Sequence, residues 1–219
     1  MKKITDVTLV VRYQYFKIRL INLIRLTEII EALILSKMDS HWNHLFVPKI
    51  ENSDNPSKTE EAFNLLFDSE IDDMNLVFEY TIWSSIFSTA YYFFENELTN
   101  TIKVLAKEYD KEAELEAMKD SGITLCQEFI KSHLDFEFPD QSKEWGEIKN
   151  YNRIRNCIAH SGGYINSKKI ERYIDRKNSL ERHDSGQIKL SKNFITECIE
   201  MIDSFLTKLA ENLSLSESI

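Results

Sequence analysis

Helix breakers are scarce in this sequence. Its 219 residues include 5 Gly and 3 Pro. Gly weakens a helix through backbone entropy, and Pro through its missing N–H and its ring. A chain this long with so few of either folds predominantly into long helices. It is also long enough to bury a core as one domain. The three cysteines, Cys126, Cys157 and Cys198, are odd in number, widely spaced and contain no CxxC. That pattern argues against a disulfide framework or a zinc knuckle and fits a reducing cytoplasm. The apolar run Val7 to Val11 is too short for a signal peptide and ends at Arg12. Ile82 to Phe94 is the most apolar stretch, but it falls short of the roughly 18 residues that span a bilayer. It reads as a buried helix, with no membrane partner.

Along the chain, Asp6 can cap a first helix. Phe16, Leu20, Leu23, Ile24, Ile30 and Ile34 form its apolar stripe, and it stops near Met38. Asp39 to Lys58, with Pro48 and Pro56, reads as a surface loop. Thr59 caps a short helix carrying Phe63, Leu66 and Phe67. From Ile71 to about Tyr109 one very long helix is predicted. It is apolar almost all round between Ile82 and Phe94 and therefore central. Asp110 to Lys119 is charged and at best weakly amphipathic. Ser121 caps a helix with Leu125, Phe129, Ile130 and Leu134 inside, and Pro139 marks the loop from Phe136 to Asp140. Ser142 caps the next helix, whose inner face holds Trp145, Ile148, Tyr151, Ile154 and Ile158, and the Ser161-Gly162-Gly163 run stops it. After a mixed stretch, Leu180 to Asp184 and Gln187 to Leu190 flank Ser185-Gly186 as a small hairpin. Ser191 or Asn193 opens the last helix, with Phe194, Cys198, Ile202, Phe205 and Leu209 on one face. The expected fold is all-α: an antiparallel four- to five-helix bundle with a small β-hairpin before the last helix. A single domain is expected over residues 1–219. It comprises an N-terminal helix and loop (1–70), a core bundle (71–213) with its motif helix at 142–160, and a frayed tail (214–219).

The net charge is −9, which argues against a general nucleic-acid coat. The charge is uneven, however. Lys143 to Arg182 holds ten Lys/Arg and five Asp/Glu, so the window is +5. A basic site on an acidic body suits an enzyme that touches a few phosphates. Inside the window, Arg155, Asn156 and His160 fall within six residues at a helix end. Asn156 and His160 are four apart and share a face. Arg155 and His160 are five apart, about 140° round the helix, and do not. Two such ends about a twofold axis would gather two Arg and two His in one cleft. An imidazole moves protons near neutral pH, and a guanidinium neutralises charge on a phosphate. Together they can cleave RNA through its own 2′-hydroxyl, with no metal and no other cofactor. Arg153, Lys168, Lys169 and Arg172 can bind backbone phosphates or form a solvated face. Tyr164 and Tyr173 can stack on bases, while Tyr151 reads as core. His41 and His44 are a weak metal pair. The plainer reading is that Arg155 pairs with Glu147 or Glu95 and that His160 caps its helix.

The segment Arg155-Asn156-Cys157-Ile158-Ala159-His160 resembles the signature of the HEPN superfamily (higher eukaryotes and prokaryotes nucleotide-binding), an Arg, often a polar residue, and a His after four to six positions. Trp145-Gly146-Glu147-Ile148 with Tyr151, leading into the motif, is similar to that family. So is Ser84 to Leu98, an earlier core helix with an acid near its end. The resemblance runs from about Met74 to Leu213. It implies a helical homodimer with facing motif helices and a metal-independent endoribonuclease that leaves a 2′,3′-cyclic phosphate. It also implies a toxin or antiphage effector, with an antitoxin or defence protein as partner. Arg155 would bind phosphate, His160 would be the acid/base and Asn156 the polar helper. Glu95 would be the supporting acid, with Glu97 an equal candidate. Family toxins paired with a nucleotidyltransferase carry a Tyr two places after the His. Here Gly162 stands there, which argues against that subclass. Some HEPN domains are non-catalytic dimerisation or binding modules, and an unrelated helical scaffold is the third reading.

Overall fold

The computed structural model describes residues 7–41, 47, 49, 54–134 and 136–215. Helices α1 (Val7–His41), α2 (Pro56–Glu108), α3 (Glu112–Ala117), α4 (Gly122–His133), α5 (Lys143–Ser161) and α6 (Lys168–Ile174) precede strands β1 (Leu180–Arg182) and β2 (Ile188–Leu190). Helix α7 (Lys192–Leu215) follows. The chain is mostly helical, with one antiparallel pair of strands in which Leu180 faces Leu190 and Arg182 faces Ile188.

The expected break between a short helix at Thr59 and a long one at Ile71 does not occur. No Gly or Pro lies between Ser57 and Glu108 to stop propagation, and α2 runs unbroken for 53 residues. Its cap is Asn55, not Thr59. The Asn55 side chain accepts a hydrogen bond from the Lys58 N–H, and Pro56 sits at the start of the helix, where a missing N–H is harmless. Helix α1 passes Met38 and ends at His41, and Val47 and Lys49 are helical, so the surface loop expected from Asp39 to Lys58 gives way to helix at those positions. Most of that loop, His44 included, lies outside the described residues, as does Asp6. Helix α7 continues past Asn212 to Leu215.

Helix α2 is the central post and touches α1, α4, α5, α7 and β2. Phe87, Ala90, Tyr91, Phe94, Leu98, Ile102 and Leu105 on it are fully buried. The post is not apolar-buried all round, since Tyr92 is 62% exposed. Helix α7 buries the whole expected face from Phe194 to Leu209. Helix α4 turns Ile123 and Cys126 inward beside Phe129 and Ile130, and leaves Leu125 only half-buried. The loop before α5 contributes to the core as well. Phe138 stands edge-on to Trp145 at 4.8 Å, and Trp145 stacks on Phe205. Among the described residues no helix is long and apolar enough to cross a membrane.

Two features fix the entry of α5. Ser142 Oγ accepts from the Trp145 N–H at 3.1 Å, as its position predicts. Glu144 reaches α7, where it accepts from Lys208 Nζ at 2.8 Å and from Ser204 Oγ at 3.2 Å. The Lys208 bond is the main reason its carboxyl is held down to about 2, below the usual 4.5. A depressed carboxyl stabilises the fold above its unfolded value and stops doing so as pH falls through its folded value. The Glu144 contribution is therefore complete above pH 4.5 and lost toward pH 2. Glu144→Gln should flatten the acid limb of the thermal-stability profile in that window. Ser142→Ala should cost about 1 kcal/mol in urea melts.

Candidate functional site

Helix α5 carries the motif and packs against α2, α7 and α6. Trp145, Ile148, Tyr151 and Ile154 are buried as their spacing predicts, and Cys157 completes the row, with Ile158 half-buried beside it. This row holds the inner face down and turns the next positions, Arg155 and Asn156, toward the border with solvent. His160, in the last turn, is exposed.

The end of α5 is built closely. Gly162 adopts the left-handed conformation at φ 58° and donates to the Cys157 carbonyl, as does Gly163 at 3.1 Å. Gly163 leaves no room for a side chain, because a Cβ there would collide with the buried Tyr80 hydroxyl. The hairpin then clamps the turn. Gln187 Nε2 donates to the Gly162 carbonyl at 2.9 Å, the Ile188 N–H to the Gly163 carbonyl at 3.0 Å, and the Ile165 N–H to the Gly186 carbonyl at 3.1 Å. The strands after the motif thus hold the turn that follows His160.

Arg155 is held from α2. Its Nη2 donates to Glu95 Oε2 at 2.7 Å, and its guanidinium carbon lies 5.3 Å from the centre of the Tyr91 ring. Of the two candidate acids, then, Glu95 meets Arg155; Glu97 lies roughly 200° further round α2. Glu147, the other partner considered for Arg155, is engaged elsewhere: it accepts from the Tyr173 hydroxyl at 2.6 Å and pairs with Lys177 at 3.0 Å. Burial is the main cause that pushes the Tyr91 phenol far up, with the Glu95 charge adding to it, so the ring stays neutral beneath the cation. Burial likewise pushes the Cys157 thiol up, and its Sγ donates to the Tyr164 carbonyl.

The remaining expected residues are not all brought together. The Asn156 amide donates to Asn152 Oδ1 at 3.4 Å rather than to His160. The His160 side chain has no hydrogen bond or ion pair among the described residues. Arg153 Nη1 donates to Asn150. The basic residues Lys168, Lys169 and Arg172 are exposed on α6, a helix that the mixed composition of this stretch does not announce. Tyr173 anchors α6 at Glu147, about 20 Å along α5 from His160. Tyr173 is itself buried, so the expected base-stacking role is corrected to a core one; Tyr164 is 52% exposed. Among the described residues no group of three His, Cys, Asp or Glu is gathered as a metal set.

Two participants escape a reading of the motif alone. Tyr91 stands one turn before Glu95, so both side chains reach the same stretch of α5, a spacing that could have revealed it. Gly122, at φ 59°, opens α4 directly against the acid, and a Cβ there would lie 2.5 Å from Glu95 Oε1. No family model, curated protein or solved structure matches the chain.

Gly122→Ala combines left-handed strain with that contact. It should cost about 1–2 kcal/mol in urea melts. A double-mutant cycle between Arg155→Ala and Glu95→Ala should give a coupling of about 1 kcal/mol, modest because both side chains are partly exposed.

Proposed function

We propose that the chain is a HEPN-type, metal-independent endoribonuclease of the cytoplasm, acting as a toxin or antiphage effector through Arg155 and His160. The observation that carries this reading is the arrangement of Arg155. Its guanidinium is oriented by Glu95 and backed by the Tyr91 ring at the solvent border, one and a half turns from an exposed His160. A cation held in place without full burial can bind a phosphate. An imidazole with no partner among the described residues is available to a substrate.

Two copies with their α5 ends facing would complete the site. One His160 takes the proton of the RNA 2′-hydroxyl, whose oxygen attacks the adjacent phosphorus. The bond to the 5′ oxygen breaks, and the second His160 protonates that leaving oxygen. Both Arg155 side chains neutralise the charge growing on the phosphate oxygens. The products are a 2′,3′-cyclic phosphate and a 5′-hydroxyl. Asn156 lies on the His160 face of α5 and adds a donor there, while Lys168, Lys169, Arg172 and Arg153 supply a basic approach for the RNA backbone.

The Arg155–Glu95 pair also fits a second reading, a non-catalytic binding module of the same fold, in which the guanidinium is a strut between α5 and α2. The two readings part on activity. His160→Ala and Arg155→Ala should each lower RNA cleavage by about 100-fold or more, measured with EDTA present, while the melting temperature stays within a few degrees. Undiminished cleavage by His160→Ala would refute the catalytic assignment; absence of cleavage by the unmutated protein would favour the module.

A further inference from the structure

Among its described residues helix α1 has two apolar faces, and the fold buries one of them. Phe16, Leu20, Leu23 and Thr27 are buried against the bundle. Roughly 115° round the helix, Tyr15, Ile18, Leu26, Ile29 and Leu33 repeat at helical spacing and point to solvent, with Ile21 bordering Ile18. These six side chains are between 41% and 58% exposed. Their stripe is about 27 Å long at 1.5 Å per residue. Among the described residues, Asn22 and Arg25 are the polar side chains within it.

We propose that this face pairs with the same face of a second copy of this chain, the two α1 helices running antiparallel. Area is the first argument. At roughly 100 Å² for each half-exposed large side chain, the six present on the order of 600 Å² of apolar surface. Exposed Gln14, Asn22, Arg25, Glu28 and Ala32 flank or interrupt it, and they bring each copy to about the 800 Å² per partner that a specific interface takes. Orientation follows from charge. Arg25, between Ile18 and Ile21, and Glu28, just beyond Ile21, lie on one side of the stripe, and Arg19, already seated over the Phe93 ring, lies toward the other. A twofold axis that relates antiparallel helices brings like borders together. Arg25 of each copy then meets Glu28 of the other, twice, about an axis near Leu26. A parallel pair would instead set the Arg25 border against the Arg19 border. Because α1 extends to His41, Tyr15 and Ile18 still lie over helix in the antiparallel pair.

This inference does not rest on the ribonuclease reading. Helix α1 packs on α2 and α7, and the motif is on α5. If both faces pair, the assembly is larger than a dimer, and removing the α1 contact still halves its mass. The test is the mass of the full chain by light scattering and sedimentation. The unmutated protein should be an even-numbered assembly. Ile29→Glu, which occurs twice across the axis, should weaken association on the order of 100-fold or more and halve the mass, with an unchanged circular-dichroism spectrum. Arg25→Glu or Glu28→Arg alone should weaken it about tenfold, and the two together should restore it. A monomer at concentrations up to about 100 μM would overturn the proposal, leaving the face to a partner of different sequence. So would a mass indifferent to Ile29→Glu. Failure of the charge swap to restore association would overturn the antiparallel arrangement.

Discussion

The packing of Tyr151 sets how α5 is turned against α2 and α7. Its ring meets Phe194 of α7 edge-on at 5.6 Å and Phe87 of α2 edge-on at 6.3 Å. A buried aromatic of this size contributes a large part of a core contact and tolerates little rotation. With Tyr151, Trp145 and Ile148 locked, the rotation of α5 about its axis is fixed. Arg155 then has one direction to point, toward the Glu95 and Tyr91 turn of α2, and His160 emerges where the helix runs out. The placement of Arg155 and His160 at the end of the helix depends on hydrocarbon packing in its middle.

The polar arrangement around that core is graded. Glu144 ties the start of α5 to α7, Glu147 and Tyr173 tie its middle to α6, and Arg155 ties its last third to α2. Each tie is made to a different element, so α5 is the strut on which the bundle is cross-braced. The hairpin completes the bracing by holding the carbonyls of Gly162 and Gly163. Beyond those bonds His160 is left to solvent. The chain spends its polar contacts on the positions before the imidazole and on the turn after it.

Much of this was legible in the sequence because it rests on period and punctuation. Helix α5 is announced by Ser142, by the apolar row from Trp145 to Ile154 and by Gly162. The hairpin is announced by Ser185-Gly186, and α7 by its row from Phe194 to Leu209. What was not legible depends on tertiary proximity. The union of two predicted helices into α2 follows from the absence of a breaker, a fact present in the sequence. The choice of Glu95 over Glu97 needed the rotation of α2 against α5. Gly122 carries no signal until Glu95 is seen above it. Tyr173 has the composition of a surface aromatic in a basic window and proved to be core. The second apolar face of α1 was also visible in the sequence, but a reading that looks for one stripe per helix passes over it.

A packed strut, an oriented guanidinium and an exposed imidazole are what support the proposed reaction, cleavage of RNA by its own 2′-hydroxyl. That proposal is tested most directly by the chemistry of the new RNA ends that the purified protein makes in the presence of a chelator. Attack by the 2′-hydroxyl predicts fragments ending in a 2′,3′-cyclic phosphate, with a 5′-hydroxyl on the other side of the cut. Ends bearing a 3′-hydroxyl and a 5′-phosphate, produced only after a divalent ion is added, would contradict it.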